Sequence, residues 1–293
     1  MVLVALGTVL GCSAADLAAR QTVSLLARTA PAMAEESDVE LVLRAAPAGI
    51  KQLEGFWLIT GDRRLAATLA EASCGYGGLV ADAWEEADLA GDPAGEAAAL
   101  RAHARASLAR CAAWAVHLLG ARGDGLLEAP AADAAARLAG ARRADAPALY
   151  WLALAGASIL GLDPGDLRVV ALEPRLRAIL ERVIELDPDH ALGQAEMLLG
   201  ILWSSRSAAV GGDPARGARH FARARAVTDG ALLLPAVMEA RIWAVTTRDA
   251  ARFDALLREV LRTSPAVLPG QRLANEVAYR KARRYQRARA TWF

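Results

Sequence analysis

The chain has 293 residues and a mass of 30.8 kDa, enough to bury a large core in one elongated domain or two compact ones. It is 55% hydrophobic, much of it alanine, with 5% aromatic residues and no sustained period-2 alternation, which argues against sheet folds and predicts an all-α protein. A net charge of +1 argues against a general nucleic-acid binder. Lys51 and Lys281 are the only lysines, so the remaining basic residues are arginine.

Met1 to Gly11 is an uncharged apolar run that closes on Cys12, and Val9-Leu10-Gly11-Cys12 has the form of a lipoprotein box. The expectation is a signal peptide over 1–12, lipidation of Cys12 and a periplasmic, lipid-anchored protein. The run lacks a basic start, so a buried first helix with an incidental cysteine is the competing reading. Beyond it no apolar run reaches the roughly 18 residues that a spanning helix needs. Residues 13–35 read as a tether with a short helix, and 36–293 as one α-helical domain.

Ser37-Asp38-Val39-Glu40 reads as a capping box with Ser37 at the cap. The helix it opens meets Pro47, which predicts a kink or a new helix running to Thr60 before Gly61-Asp62 recaps the chain. Residues 63–89 are helical in pattern, with Leu65, Leu69, Leu79 and Trp84 as core candidates. Cys74-Gly75-Tyr76-Gly77-Gly78 interrupts them, either as a break or as a close approach of two backbones. Gly91-Asp92-Pro93 predicts an Asp92 cap with Pro93 in the first turn of a long helix over 94–120. Residues 121–147 hold one short helix. Cys74 and Cys111 sit in apolar helical contexts; two buried thiols are favoured over a disulfide, although sequence does not give their separation.

From residue 149 onward, helical hairpins carry the same punctuation. The ends fall at Glu185-Leu186-Asp187-Pro188, Val227-Thr228-Asp229-Gly230 and Arg262-Thr263-Ser264-Pro265. Asp187 and Asp229 are 42 residues apart, and Asp229 and Ser264 are 35 apart. A tetratricopeptide repeat is about 34 residues, so the first interval holds an insertion of about 8, matched by Ser204 to Gly212. The predicted fold is a tetratricopeptide-like helical-hairpin solenoid, with pairs at 147–161/173–186, 190–204/214–228 and 231–247/249–263. A long C-terminal capping helix over 271–293 closes it. Asp213 and Pro214 predict a strong helix start after the insertion, and Arg206 reads as the charged tip of a contact loop or of a plain spacer.

The seven tryptophans fall roughly one per hairpin and read mostly as core; Trp151 and Trp203 are kept as candidates to line a ligand cavity. The search for chemistry is negative. His103, His117, His190 and His220 lack metal-ligand spacing, and no nucleophile elbow or phosphate-binding loop appears, so no catalytic residue, metal or cofactor is expected. Asp82, Glu85 and Glu86 read as a solvated face, and His220 as a surface residue beside a packed Phe221. The closing helix carries Arg272, Arg280, Lys281, Arg283, Arg284, Arg287 and Arg289 against Glu276 alone. An acidic partner, an anionic membrane surface and a solvated face remain open for it.

In order along the chain, several motifs resemble the T component of TRAP transporters, the tripartite ATP-independent periplasmic systems. They are the cysteine after the apolar leader, Glu40-Leu41-Val42-Leu43-Arg44-Ala45-Ala46-Pro47, Leu149-Tyr150-Trp151-Leu152-Ala153 and Ile184-Glu185-Leu186-Asp187-Pro188-Asp189. Ser205-Arg206 leading into Gly211-Gly212-Asp213-Pro214, Ala218-Arg219-His220-Phe221, and Arg272-Leu273-Ala274-Asn275 before the basic closing helix complete the set. The resemblance implies a non-enzymatic periplasmic lipoprotein that associates with the solute-binding P component and forms a homotrimer. It also implies an apolar passage for a carboxylate-bearing or hydrophobic solute. Trp151, Trp203, Arg206, Arg272, Asn275, Arg283 and Arg287 are the candidate contacts with partner or ligand. The alternative is a general repeat scaffold with no transported ligand.

Overall fold

The computed structural model describes residues 31–293 together with Thr22, Leu25 and Thr29. The expected leader and Cys12 lie outside the described residues. Every regular element among those described is helical.

The N-terminal part holds α1 (Val39–Thr60), α2 (Arg63–Leu89) and α3 (Ala97–Leu119). α1 is capped by Asp38 rather than Ser37: its carboxylate accepts from the backbone N–H groups of Glu40 at 2.9 Å and Leu41 at 3.0 Å. Glu36, not Glu40, serves the preceding N–H groups, accepting from Ser37 at 2.6 Å and Asp38 at 2.9 Å. The helix also runs unbroken through Pro47, which lies on the exposed side. The carbonyl of Leu43, four residues back, loses its helical donor there without breaking the helix. Asp92 does not cap a helix at 93: it takes a positive φ of 50° and accepts from the N–H groups of Glu96 and Ala97, where α3 begins.

The glycine-rich segment at 74–78 is a contact and not a break, since α2 is continuous through it. A Cβ on Gly77 would sit 2.9 Å from Leu108 Cγ, so only glycine lets α3 approach this closely. Cys74 and Cys111 face each other across the same seam and form a disulfide, with 5.1 Å between their Cα atoms. The favoured reading of two free thiols is therefore corrected. The helix contact that Gly77 permits brings together two cysteines whose distance sequence could not supply.

α4 (Ala131–Ala139) is the short helix of the following loop, and α5 (Ala146–Leu162) and α6 (Glu173–Leu186) form the next pair. The stretch Arg143–Leu162 is apolar and long enough to cross a membrane by composition, which the reading of apolar runs had missed. Its Leu149, Tyr150, Leu152 and Ala153 are instead buried in the main core, against α3, α6 and α7 (Gln194–Ser204). α7 pairs with α8 (Pro214–Ala226), where a Cβ on Gly200 would meet the Phe221 ring at 2.9 Å. Asp213 caps α8 as expected, accepting from Arg216 N–H at 2.9 Å.

α9 begins at Leu234–Met238, passes through a π-helical segment, Glu239–Ala244, and ends with Val245–Thr247. It packs on α10 (Ala250–Arg262) and on α11 (Arg272–Arg287) around a second core that includes Val237, Phe253 and Tyr285. α11 then reaches back to the beginning of the chain: Leu273 and Val277 pack on Val39, Val42 and Leu79 of α1 and α2. The ends of this helical array are thus joined, where an open row of hairpins would leave them apart.

The disulfide closes a 37-residue separation, for which chain entropy predicts a stabilisation of about 3–4 kcal/mol. Urea unfolding of oxidised chain and of Cys74→Ala/Cys111→Ala is expected to show that loss; coincident midpoints would show that the bond contributes nothing.

Candidate functional site

α11 carries two different charged faces. Its inward face meets α2 through side chains that sequence reading placed in solvent. Asp82 and Arg284 are 5% and 4% exposed and form an ion pair, and Arg284 also reaches Glu85 at 2.7 Å. Lys281 Nζ lies 2.8 Å from Asp82 and 2.7 Å from Glu85, and the Tyr285 hydroxyl donates to Glu85 at 2.8 Å. Burial alone would raise the Glu85 carboxyl, but Lys281 and Arg284 beside it win and hold it at about 2. Burial likewise works against the charge on Lys281, and Tyr285, Glu85 and Asp82 reverse that and raise it. Midway along the helix Arg280 pairs with Glu40 of α1 at 2.8 Å. The expectation of a solvated face at Asp82 and Glu85 is therefore overturned. The clue available in sequence was their i, i+3 spacing in register with Leu79, which puts both carboxylates on the helix face of a core candidate.

Other candidate contacts are spent on the fold. Asn275 is fully buried: its carbonyl accepts from Leu233 N–H at 2.9 Å and its amide donates to Ala231 and Pro265 carbonyls. Arg272 lies 3.7 Å from Glu276 one turn on. Trp151 is half-buried, edge-on to Tyr150 at 4.9 Å and packed beside the disulfide. Trp203 is clamped between the guanidinium groups of Arg177 at 3.8 Å and Arg216 at 4.1 Å from its ring. Arg206 does not extend from the 204–212 loop; it turns back to pair with Glu173, which is 1% exposed and also pairs with Arg177. The tip of that loop is Val210, 64% exposed.

His220 is buried as well, in contrast to the expected surface position. Its Nδ1 lies 2.5 Å from Glu196, which also accepts from Arg223 at 2.9 Å. Burial would raise the Glu196 carboxyl, and the hydrogen bonds from His220 and Arg223 lower it instead. Among the described residues no group of three or more His, Cys, Asp or Glu side chains is placed to hold a metal.

Arg283 and Arg287 remain exposed on the outward face of α11, with no ion pair among the described residues. The fold adds two further arginines that sequence reading did not select. α10 and α11 run antiparallel, fixed at one end by Arg289 on Asp254 at 2.8 Å and at the other by a hollow that joins Arg262 to Glu276 and Tyr279. Arg258 and Arg262, one and two turns beyond Asp254, are exposed and equally unpaired. The outward faces of α10 and α11 therefore present four guanidinium groups without an ion pair, of which Arg262 lines a hollow of about 380 Å³. The i, i+4 register of Asp254, Arg258 and Arg262 is visible in sequence; that this stripe lies alongside Arg283 and Arg287 is not. Exposed arginine beside tyrosine is the composition of a recognition surface for carboxylates or phosphates.

A family model described as the TRAP transporter T-component matches residues 35–293. No curated protein matches the chain.

Removing one partner from the inward cluster leaves a buried charge uncompensated, so Arg284→Met is expected to cost about 3–5 kcal/mol in denaturant unfolding. The pH dependence has a fixed sign. An unfolded glutamate titrates near 4.5 and Glu85 in the fold near 2, so its stabilisation is complete above about pH 5 and is lost as pH falls toward 2. The stability gap between wild type and Glu85→Gln should close over that range; a gap independent of pH would refute the assignment.

Proposed function

The chain belongs to the TRAP transporter T-component family, and from that premise we propose that it docks the solute-binding P component through the outer face of α10 and α11. The family places it as an accessory component of a transport system, not as an enzyme. The observation that carries the docking reading is the four unpaired arginines, Arg258, Arg262, Arg283 and Arg287, on one side of one helix pair. An array of like charges without internal partners is costly to collect unless an opposite charge meets it, and arginine keeps its charge at every physiological pH. Rigid helices hold the array in place, so it suits the steering of an acidic protein surface onto a fixed orientation.

The remainder of the reading is a periplasmic protein held by lipid on Cys12 and assembled as a homotrimer that offers its solute an apolar passage. It continues the same family premise and the apolar leader that precedes Cys12. The tetratricopeptide-like repeat belongs with it, supported by the sequential pairing of α5 to α10.

Two measurements test these proposals. Arg283→Glu/Arg287→Glu is expected to weaken capture of the solute-binding component by about tenfold, mostly through slower association and with a reduced dependence on salt. Adding Arg258→Glu/Arg262→Glu should weaken it further. Unchanged capture would return the face to solvent, and absence of capture by the wild type at every salt concentration would favour a general scaffold. Labelled palmitate should enter the wild-type chain and not Cys12→Ala; an unlabelled wild type would remove the anchor.

A further inference from the structure

The far end of α1 carries an apolar group that the fold leaves uncovered. Leu58 and Ile59 are 76% and 71% exposed, the two adjacent large aliphatics of highest exposure in the hairpin, with Phe56 half-buried behind them. Their position is fixed. The helix stops at Gly61, whose left-handed backbone returns its N–H to the Trp57 carbonyl at 2.8 Å, so the last turn is a capped, regular helix end with Leu58 and Ile59 on its exposed side. Behind it stand Trp57 and Trp114, edge to face at 4.9 Å, with His117 edge-on to Trp57 at 5.4 Å.

The charges around this tip have one sign in excess. Arg63 and Arg64 flank it from the start of α2, with Lys51 about two turns back along α1 and Arg110 on the facing part of α3, against Glu54 and Asp62. Glu54 is shared between Lys51 at 2.6 Å and Arg110 at 3.6 Å, and Asp62 pairs with Arg64 at 2.7 Å, so two positive charges remain. Extent also decides. Two exposed aliphatics backed by half-buried rings fall well short of the roughly 800 Å² per partner that a stable protein interface buries. Apolar side chains at the tip, tryptophans one layer back and an excess of basic residues around them match the layering of a bilayer interface, from acyl boundary to headgroup.

We infer that the last turn of α1, Leu58 and Ile59 leading, inserts into the surface of an anionic membrane. This contact is separate from the docking face on α10 and α11 and does not depend on it. The test uses the full chain with vesicles of phosphatidylcholine and phosphatidylglycerol that carry a shallow nitroxide lipid. The readout is quenching of Trp57, taken as the difference between the parent and Trp57→Phe. The parent should be quenched, and Leu58→Ser/Ile59→Ser should lose most of that quenching whether or not the leader still holds the chain to the vesicle. Replacing phosphatidylglycerol by phosphatidylcholine alone should lower it. Both substitutions are at exposed positions, and matching thermal unfolding would establish that the fold is intact. Equal quenching in the parent and the serine variant, or none in the parent, would overturn the inference. So would self-association of the parent in sedimentation that the serine variant abolishes, since that would assign the tip to a second copy of the chain.

Discussion

The ion cluster of Asp82, Glu85, Lys281 and Arg284 joins residues that lie 196 to 202 positions apart, and the arrangement of the helices depends on it. Hairpins stacked in sequence order need only their neighbours. A helix that leaves the end of such a stack and returns to the second helix of the chain needs a reason to stop at one register. Apolar contacts of Leu273 and Val277 with Val39, Val42 and Leu79 provide affinity with little positional preference. Two buried cations facing two carboxylates provide the register, because a one-residue slip would strand a charge in the core. The net energy of such a cluster against an apolar replacement is small; its cost when mispaired is not.

With the ends joined, the remaining polar burials fall into a pattern. Glu173 holds Arg177 and Arg206, Glu196 holds His220 and Arg223, and Glu239 holds Arg252 and Arg225. Each is an acidic residue buried near a helix start or bend and shared by two basic side chains, at least one of them from another element. The chain is rich in alanine, whose small side chains let helices approach closely but leave little apolar area to bury per residue. Charged seams of this kind fix helix pairs against one another where large apolar side chains are few.

Much of the helix order could be read from sequence, because caps and periodicity are local. Asp213 with Pro214, the ends near Asp187, Asp229 and Ser264, and the helix pairs between them stand close to where spacing put them. What failed was tertiary. Nothing within a few residues of His220 announces Glu196, and nothing around Cys74 announces Cys111, since in both cases the partner arrives on another helix. Pro47 misled in the opposite sense, and the glycines after Cys74 left a break and a close approach open until the structure showed the close approach. Both are local breaking signals that the surroundings override, one by facing water and the other by admitting Leu108. At the candidate site, Arg283 and Arg287 could be selected in sequence, but Arg258 and Arg262 needed the antiparallel packing of α10 on α11.

The basic run of α11 shows why charge counting alone could not decide its role. Successive residues of a helix turn by about 100°, so seven cations in eighteen residues must be distributed around it. Lys281 and Arg284 are three apart and share the inward side with Ala278, Ala282 and Tyr285; Arg283 and Arg287 are four apart and share the outward one. The inward pair is neutralised by α2 and is thereby fixed in place. Because the same helix carries both pairs on one rigid backbone, neutralising the inner charges is what holds the outer ones at a constant spacing beside Arg258 and Arg262. A substitution that loosens the cluster would therefore disperse the outer array without touching any of its arginines, and the anchoring of the chain's end is inseparable from the geometry of its exposed charge.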